Sequence, residues 1–138
     1  MTLPDSLFAP LDWDGTTTIE LPIPPSANRY WRHVTSGGRG LTLISSAGRN
    51  YQEAVRARCQ LYRIRKIHGP VAVKVVWFRE KKTGDLDNRL KPLLDALKHV
   101  AFGDDGLVRR IEAEMIDGDR RPRVAVVIAP YEFKGTAL

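Results

Sequence analysis

Apolar residues alternate with polar ones towards both ends of the chain and recur at helical spacing in its middle. In residues 17–23, Ile19, Leu21 and Ile23 fall two apart, the period of a strand with one buried face. Pro22 within that run predicts an edge position or a strand end. Residues 71–78 (Val-Ala-Val-Lys-Val-Val-Trp-Phe) are nearly continuously apolar and β-branched, which suits a central strand. In residues 107–116, Ile111, Ala113 and Met115 alternate with Arg110, Glu112 and Glu114, and residues 123–129 read as a last strand. The intervening Asp117-Gly118-Asp119-Arg120-Arg121-Pro122 is a turn by composition and predicts an antiparallel hairpin of these two strands.

Two segments carry the helical period instead. Ser46 is a plausible N-cap for a helix to about Ile64, with Tyr51, Val55, Cys59 and Tyr62 as its buried stripe. Leu90, Leu93, Leu94, Leu97 and Ala101 mark a second amphipathic helix. Pro92 is tolerated only in a first turn, so this helix cannot begin far before Asn88. Asp87 is then at or beside its N-cap, Asp85 belongs to the extended segment before it, and the end falls at residues 100–102, with Gly103 as a stop. The order predicts an α+β (mixed αβ) fold: a single-domain mixed β-sheet with two main helices packed on it, in the order β-α-β-α-β-β. Residues 18–138 form that domain, and residues 1–17 are expected to be a loose N-terminal arm.

Composition narrows the class. A chain of 138 residues is one ordinary domain, and 43% hydrophobic with 28% charged residues is the balance of a globular protein. The net charge of +6 attracts polyanions, either nucleic acid or an acidic membrane face. No apolar run approaches bilayer length and no signal-peptide pattern opens the chain, so no membrane partner and a cytoplasmic location (a bacterial or phage-infected cell) are expected. Cys59 alone cannot make an internal disulfide, and His33, His68 and His99 are too dispersed for a usual zinc site.

Against that basic background the chemistry concentrates in Gly84-Asp85-Leu86-Asp87-Asn88-Arg89-Leu90-Lys91, followed by Asp104-Asp105. If the segment before Asn88 is extended, Asp85 and Asp87 point the same way, and Lys91 lies one helical turn beyond Asp87. Two carboxylates beside an amine suit a divalent metal, magnesium or manganese, next to a phosphate, with Asp105 or Asp104 as a third ligand and Lys91 offsetting transition-state charge. The plainer alternative makes Asp87 a helix cap and the others turn residues. Upstream, Asn28-Arg29-Tyr30-Trp31-Arg32-His33 interleaves cations with aromatics, and Ser36-Gly37-Gly38-Arg39-Gly40 is a basic tip, either a hairpin turn or a mobile clamp. Along the first long helix Arg49, Arg56 and Arg63 recur every seven residues, with Arg58 and Arg65 as a similar row. The candidate DNA contacts are therefore Arg29, Tyr30, Arg32, Arg39, Arg49 and Arg56. Tyr30 and Trp31 have the alternative of simply packing on the core.

Leu21-Pro22-Ile23-Pro24-Pro25-Ser26-Ala27-Asn28-Arg29-Tyr30, then Asp85-Leu86-Asp87-Asn88-x-x-Lys91, Asp95-Ala96-Leu97 and Asp104-Asp105, resemble the RusA family of Holliday-junction resolvases. The resemblance covers about residues 18–130, and the acidic run with its trailing pair is its most specific part. It implies a homodimeric, magnesium-dependent endodeoxyribonuclease that nicks opposed strands of a four-way DNA junction. It also implies that Asp85, Asp87 and Asp105 bind the metal, that Lys91 assists catalysis, and that the loop from Arg29 to Arg39 contacts DNA. A two-fold dimer suits a substrate that is itself nearly two-fold. The alternatives are a non-catalytic nucleic-acid-binding protein and a nuclease for other branched DNA.

Overall fold

The run of β-branched residues at 71–78 becomes the strand around which the sheet is built. In a computed structural model that describes residues 17–132, the four-stranded sheet contains β1 (Thr17–Leu21), β4 (Val71–Arg79), β5 (Val108–Asp117) and β6 (Arg123–Pro130) in the order β1-β6-β4-β5. β4 pairs antiparallel with β6 on one side and parallel with β5 on the other, which makes the sheet mixed. β1 lies at an edge and ends at Leu21, before Pro22 removes a donor from the ladder. The remaining elements are the short helix α1 (Ala27–Tyr30), the strands β2 (Trp31–Ser36) and β3 (Arg39–Ile44), and the helices α2 (Ser46–Leu61) and α3 (Asp87–Leu97). This is an α+β fold with two long helices. The expected arm falls almost wholly within residues 1–16, which lie outside the described residues.

α2 and α3 cover one face of the sheet. Val71, Val73, Val75 and Trp77 of β4 and Val124, Val126 and Ile128 of β6 meet Tyr51, Val55 and Cys59 of α2 and Leu93, Ala96 and Leu97 of α3. Burying each valine, leucine or isoleucine among them stabilises the fold by about 1.5–3 kcal/mol. On the other face Val76, Phe78 and Ala125 form a smaller cluster with Ile116. Lys74 and Arg123 are also buried there, paired with Glu112 at 3.7 Å and with Asp119 at 3.1 Å.

Several expectations need correction. β5 and β6 are not a hairpin, because β4 lies between them. The β4-α3-β5 run is a parallel crossover: packing α3 on the sheet brings β5 alongside β4, and β6 must cross to the free edge. α2 is capped by Ser45, whose hydroxyl accepts from the Gly48 amide at 3.0 Å, and it stops at Leu61, so Tyr62 is exposed rather than part of the buried stripe. α3 stops at Leu97 because Lys98 is extended (ψ 137°) and His99 is left-handed (φ 68°). Ala101 and Phe102 are still buried, in the turn after the helix. The basic tip is a hairpin turn: Gly37 and Gly38 both have positive φ (57° and 77°), the two-residue turn that matches strand twist.

Candidate active site

The acidic loop sits at the carboxyl end of the central strand, where β4 gives way to α3. Gly84 turns the chain with φ 92°, a conformation a side chain would strain. The Arg79 guanidinium donates to the Gly84 carbonyl at 2.8 Å and is itself ion-paired with Asp117. Trp77 lies beneath, with the guanidiniums of Arg79 and Arg89 over its ring at 5.5 and 5.4 Å. Arg89 also donates to the Pro24 carbonyl at 2.6 Å. That contact joins the proline-rich segment to the acidic one, although they are far apart in sequence. Burial and the nearby Arg29 hold the Arg89 guanidinium below its ordinary range.

Asp85 and Asp87 are both exposed, and among the described residues neither carboxylate has a hydrogen bond or ion pair. Leu86 between them has helical dihedrals (φ −58°, ψ −48°), so the pair flanks a bend and the strand alternation expected from the sequence does not apply. Asp87 is the first residue of α3 and Lys91 follows one turn later on the same face. The Lys91 ammonium lies 5.7 Å from the centre of the Trp31 ring, which meets Tyr30 edge-on at 4.4 Å. The root of β2 therefore touches the first turns of α3.

Asp105 stands elsewhere. It opens a 3₁₀ turn after α3, and its amide donates to the Asp104 carboxylate at 2.8 Å. The turn does come back towards α3, but to its far end. Lys98 there has a raised pKa, mainly from its contact with Asp95 and further from Asp105 and Asp104. α3 has 11 residues, so its ends are about 16 Å apart at 1.5 Å per residue. Among the described residues no three His, Cys, Asp or Glu side chains gather closely enough to hold a metal ion. Asp85 and Asp87 nevertheless fit magnesium, which commonly takes one or two protein carboxylates and fills its shell with waters and substrate phosphate.

A model of the endodeoxyribonuclease RusA family matches residues 22–129. The chain belongs to this family. It is 36% identical over 91 residues to the crossover junction endodeoxyribonuclease RusA of Escherichia coli strain K12, covering 64% of this chain and 72% of that protein. It is 37% identical over 90 residues to the protein of that name from Enterobacteria phage HK97, covering 62% of this chain and 69% of the relative. A third relative so named, from E. coli O139:H28, is 38% identical over 98 residues, covering 68% of this chain and 78% of its own length.

Within this RusA-family chain the DNA-contact candidates divide. Arg29, Arg32, Arg39, Arg49 and Arg56 are all exposed, as a contact with phosphate requires. Tyr30 is a correction: it is fully buried and cannot stack on a base. Its hydroxyl donates to Asp95 Oδ2 at 2.6 Å and accepts from Gln52 at 2.9 Å, and burial together with Asp95 pushes its pKa up. The basic row on α2 is shorter than its spacing suggested, since Arg63 lies past the helix and Arg58 is half-buried, with its guanidinium 3.5 Å from the Glu20 carbonyl. Sequence reading missed Gly48, where a Cβ would lie 2.5 Å from the Tyr30 carbonyl oxygen. It also missed Lys98 and His99, which line a cleft of about 310 Å³ between α2 and α3 with Gln52, Arg56 and Asp95. The left-handed backbone of His99 was the feature to find, and no residue type announces it.

Proposed function

We propose that this chain is a magnesium-dependent endodeoxyribonuclease that resolves four-way DNA junctions by paired nicks, acting as a homodimer in the cytoplasm. One observation carries the reading. Two unpartnered carboxylates, Asp85 and Asp87, and the ammonium of Lys91 lie at one end of α3 on an otherwise basic surface. Magnesium (or manganese) held there would activate a water and neutralise the attacked phosphate. Lys91, steadied by the Trp31 ring, offsets charge that develops on the phosphoryl oxygens. Arg29 lies close enough to Arg89 to act on its charge, and Arg32 and Arg39 line the hairpin that starts at Trp31, where they can hold flanking phosphates. Curated relatives bear the name crossover junction endodeoxyribonuclease, which supports the branched substrate.

The third carboxylate bears on assembly. Asp105 follows the far end of α3 and, among the described residues, does not gather with Asp85 and Asp87 into a metal-sized cluster, so it is assigned to the site of a second copy. A two-fold pair then has two complete sites, one for each opposed strand. The experiment uses purified protein, a synthetic four-way junction and added magnesium. Asp85→Asn and Asp87→Asn should each lower nicking on the order of 10³-fold while leaving junction binding intact. Mixing Asp85→Asn with Asp105→Asn should restore single-strand nicking in the mixed dimer. Undiminished cutting by either Asp85→Asn or Asp87→Asn defeats the metal site, and the absence of rescue defeats the shared one.

A further inference from the structure

The hairpin of β2 and β3 carries an apolar face that the nuclease chemistry does not use. Its register sets Arg32, Val34 and Ser36 opposite Leu43, Leu41 and Arg39, so these six side chains share one face. Leu41 and Leu43 each remain 44% exposed. Fully burying a leucine is worth about 1.5–3 kcal/mol, and the single chain leaves much of that unclaimed. A ribbon of two strands is marginal in water, and exposed leucines on it add little to the fold.

Charge and position select the partner. Residues 21–52 contain four arginines (Arg29, Arg32, Arg39 and Arg49) and no Asp or Glu. A second copy laid on this face would set Arg32 and Arg39 against the same arginines with no acid in the ribbon to compensate. A polyanion supplies that compensation. The ribbon also starts at Trp31, whose ring carries Lys91, so it projects from the catalytic end of α3. At about 3.4 Å per residue, Leu41 lies about 10 Å beyond the Trp31–Ile44 pair. Apolar side chains rimmed by cations are what proteins insert between base steps. At a branch point the bases are already partly unstacked, which removes much of the cost of insertion.

We propose that Val34, Leu41 and Leu43 form a branch-point wedge that lies on unstacked bases of the DNA junction while Arg32 and Arg39 hold the adjoining phosphates. The wedge confers preference for branched over linear DNA, and it rests on the nuclease reading only for the identity of that substrate.

The test uses the full chain without divalent metal and a four-way junction carrying 2-aminopurine at the branch point. Wild-type protein should raise the fluorescence several-fold, as an unstacked base does. Leu41→Ser/Leu43→Ser should abolish the rise and lower the preference for junction over linear duplex on the order of tenfold. Duplex affinity and melting temperature should stay unchanged, because the arginines and the core are intact. A double variant with wild-type fluorescence and preference overturns the wedge. A double variant that sediments as a monomer where wild type is a dimer gives the face to a second copy and also overturns it. Wild-type protein that brightens the junction but never nicks it in magnesium supports the wedge and defeats the nuclease reading instead.

Discussion

The four-stranded sheet and the two-stranded hairpin both carry apolar side chains on strands, and these end in opposite states. Val73, Val75 and Val126 of the sheet are essentially inaccessible, whereas Leu41 and Leu43 of the hairpin face outwards. What separates them is whether something lies on top. α2 and α3 seal one sheet face, and nothing among the described elements packs on the leucine face of the hairpin. The sheet holds the molecule together and positions the acidic loop at the end of β4. The hairpin presents cations and apolar surface on a ribbon whose root, at Trp31, meets Lys91.

The contrast is sharpest in the same substitution at two leucines. Leu97→Ala, on the sealed side of α3, should destabilise the protein by about 2–5 kcal/mol in denaturant unfolding. Leu43→Ala should change stability by no more than about 0.5 kcal/mol. Comparable losses would mean that the hairpin face is covered and would break the comparison. Next in size is Gly48→Ala, where the two regions are joined. Glycine to alanine inside a helix ordinarily stabilises by about 1 kcal/mol. Here the new Cβ would lie 2.5 Å from the Tyr30 carbonyl oxygen and 2.8 Å from Ile44 Cγ2, so a loss of about 1–3 kcal/mol is expected instead. A gain would show that the hairpin root yields freely.

Tyr30→Phe should cost about 1 kcal/mol, because it removes the hydroxyl shared by Asp95 and Gln52, and it should leave DNA affinity as it was. Weaker DNA binding without loss of stability would return Tyr30 to the interface. The smallest effect belongs to Arg39→Ala. It should leave the melting temperature unmoved and reduce the slope of log affinity against log salt by about 0.9, the signature of one lost phosphate contact. An unchanged slope would remove Arg39 from the DNA.

Much of the sealed region was legible in the sequence. The leucine spacing and Pro92 located the start of α3 to within a residue or so, and the β-branched run gave the central strand. What escaped depends on partners distant in the chain. The turn at residues 118–122 looks like a hairpin connection, and only the packing of α3, which lays β5 parallel to β4, separates the two strands it joins. β2 and β3 are too short and too mixed in polarity to announce themselves, so their turn was visible before their strands were. At the candidate site, the places of these residues along the chain were legible but their relation in space was not. Asp85, Asp87 and Lys91 fall where the spacing suggested, at the strand-to-helix junction. The bend at Leu86 and the span of α3 before Asp105 are backbone facts that no motif records.

The most direct test maps nicks on all four strands of one synthetic junction after incubation with magnesium. The account predicts nicks on two opposed strands, at equivalent positions, and their loss in the Asp85→Asn protein. Cuts confined to a single strand, cutting of linear duplex at the same rate, or nicking that survives Asp85→Asn would contradict it.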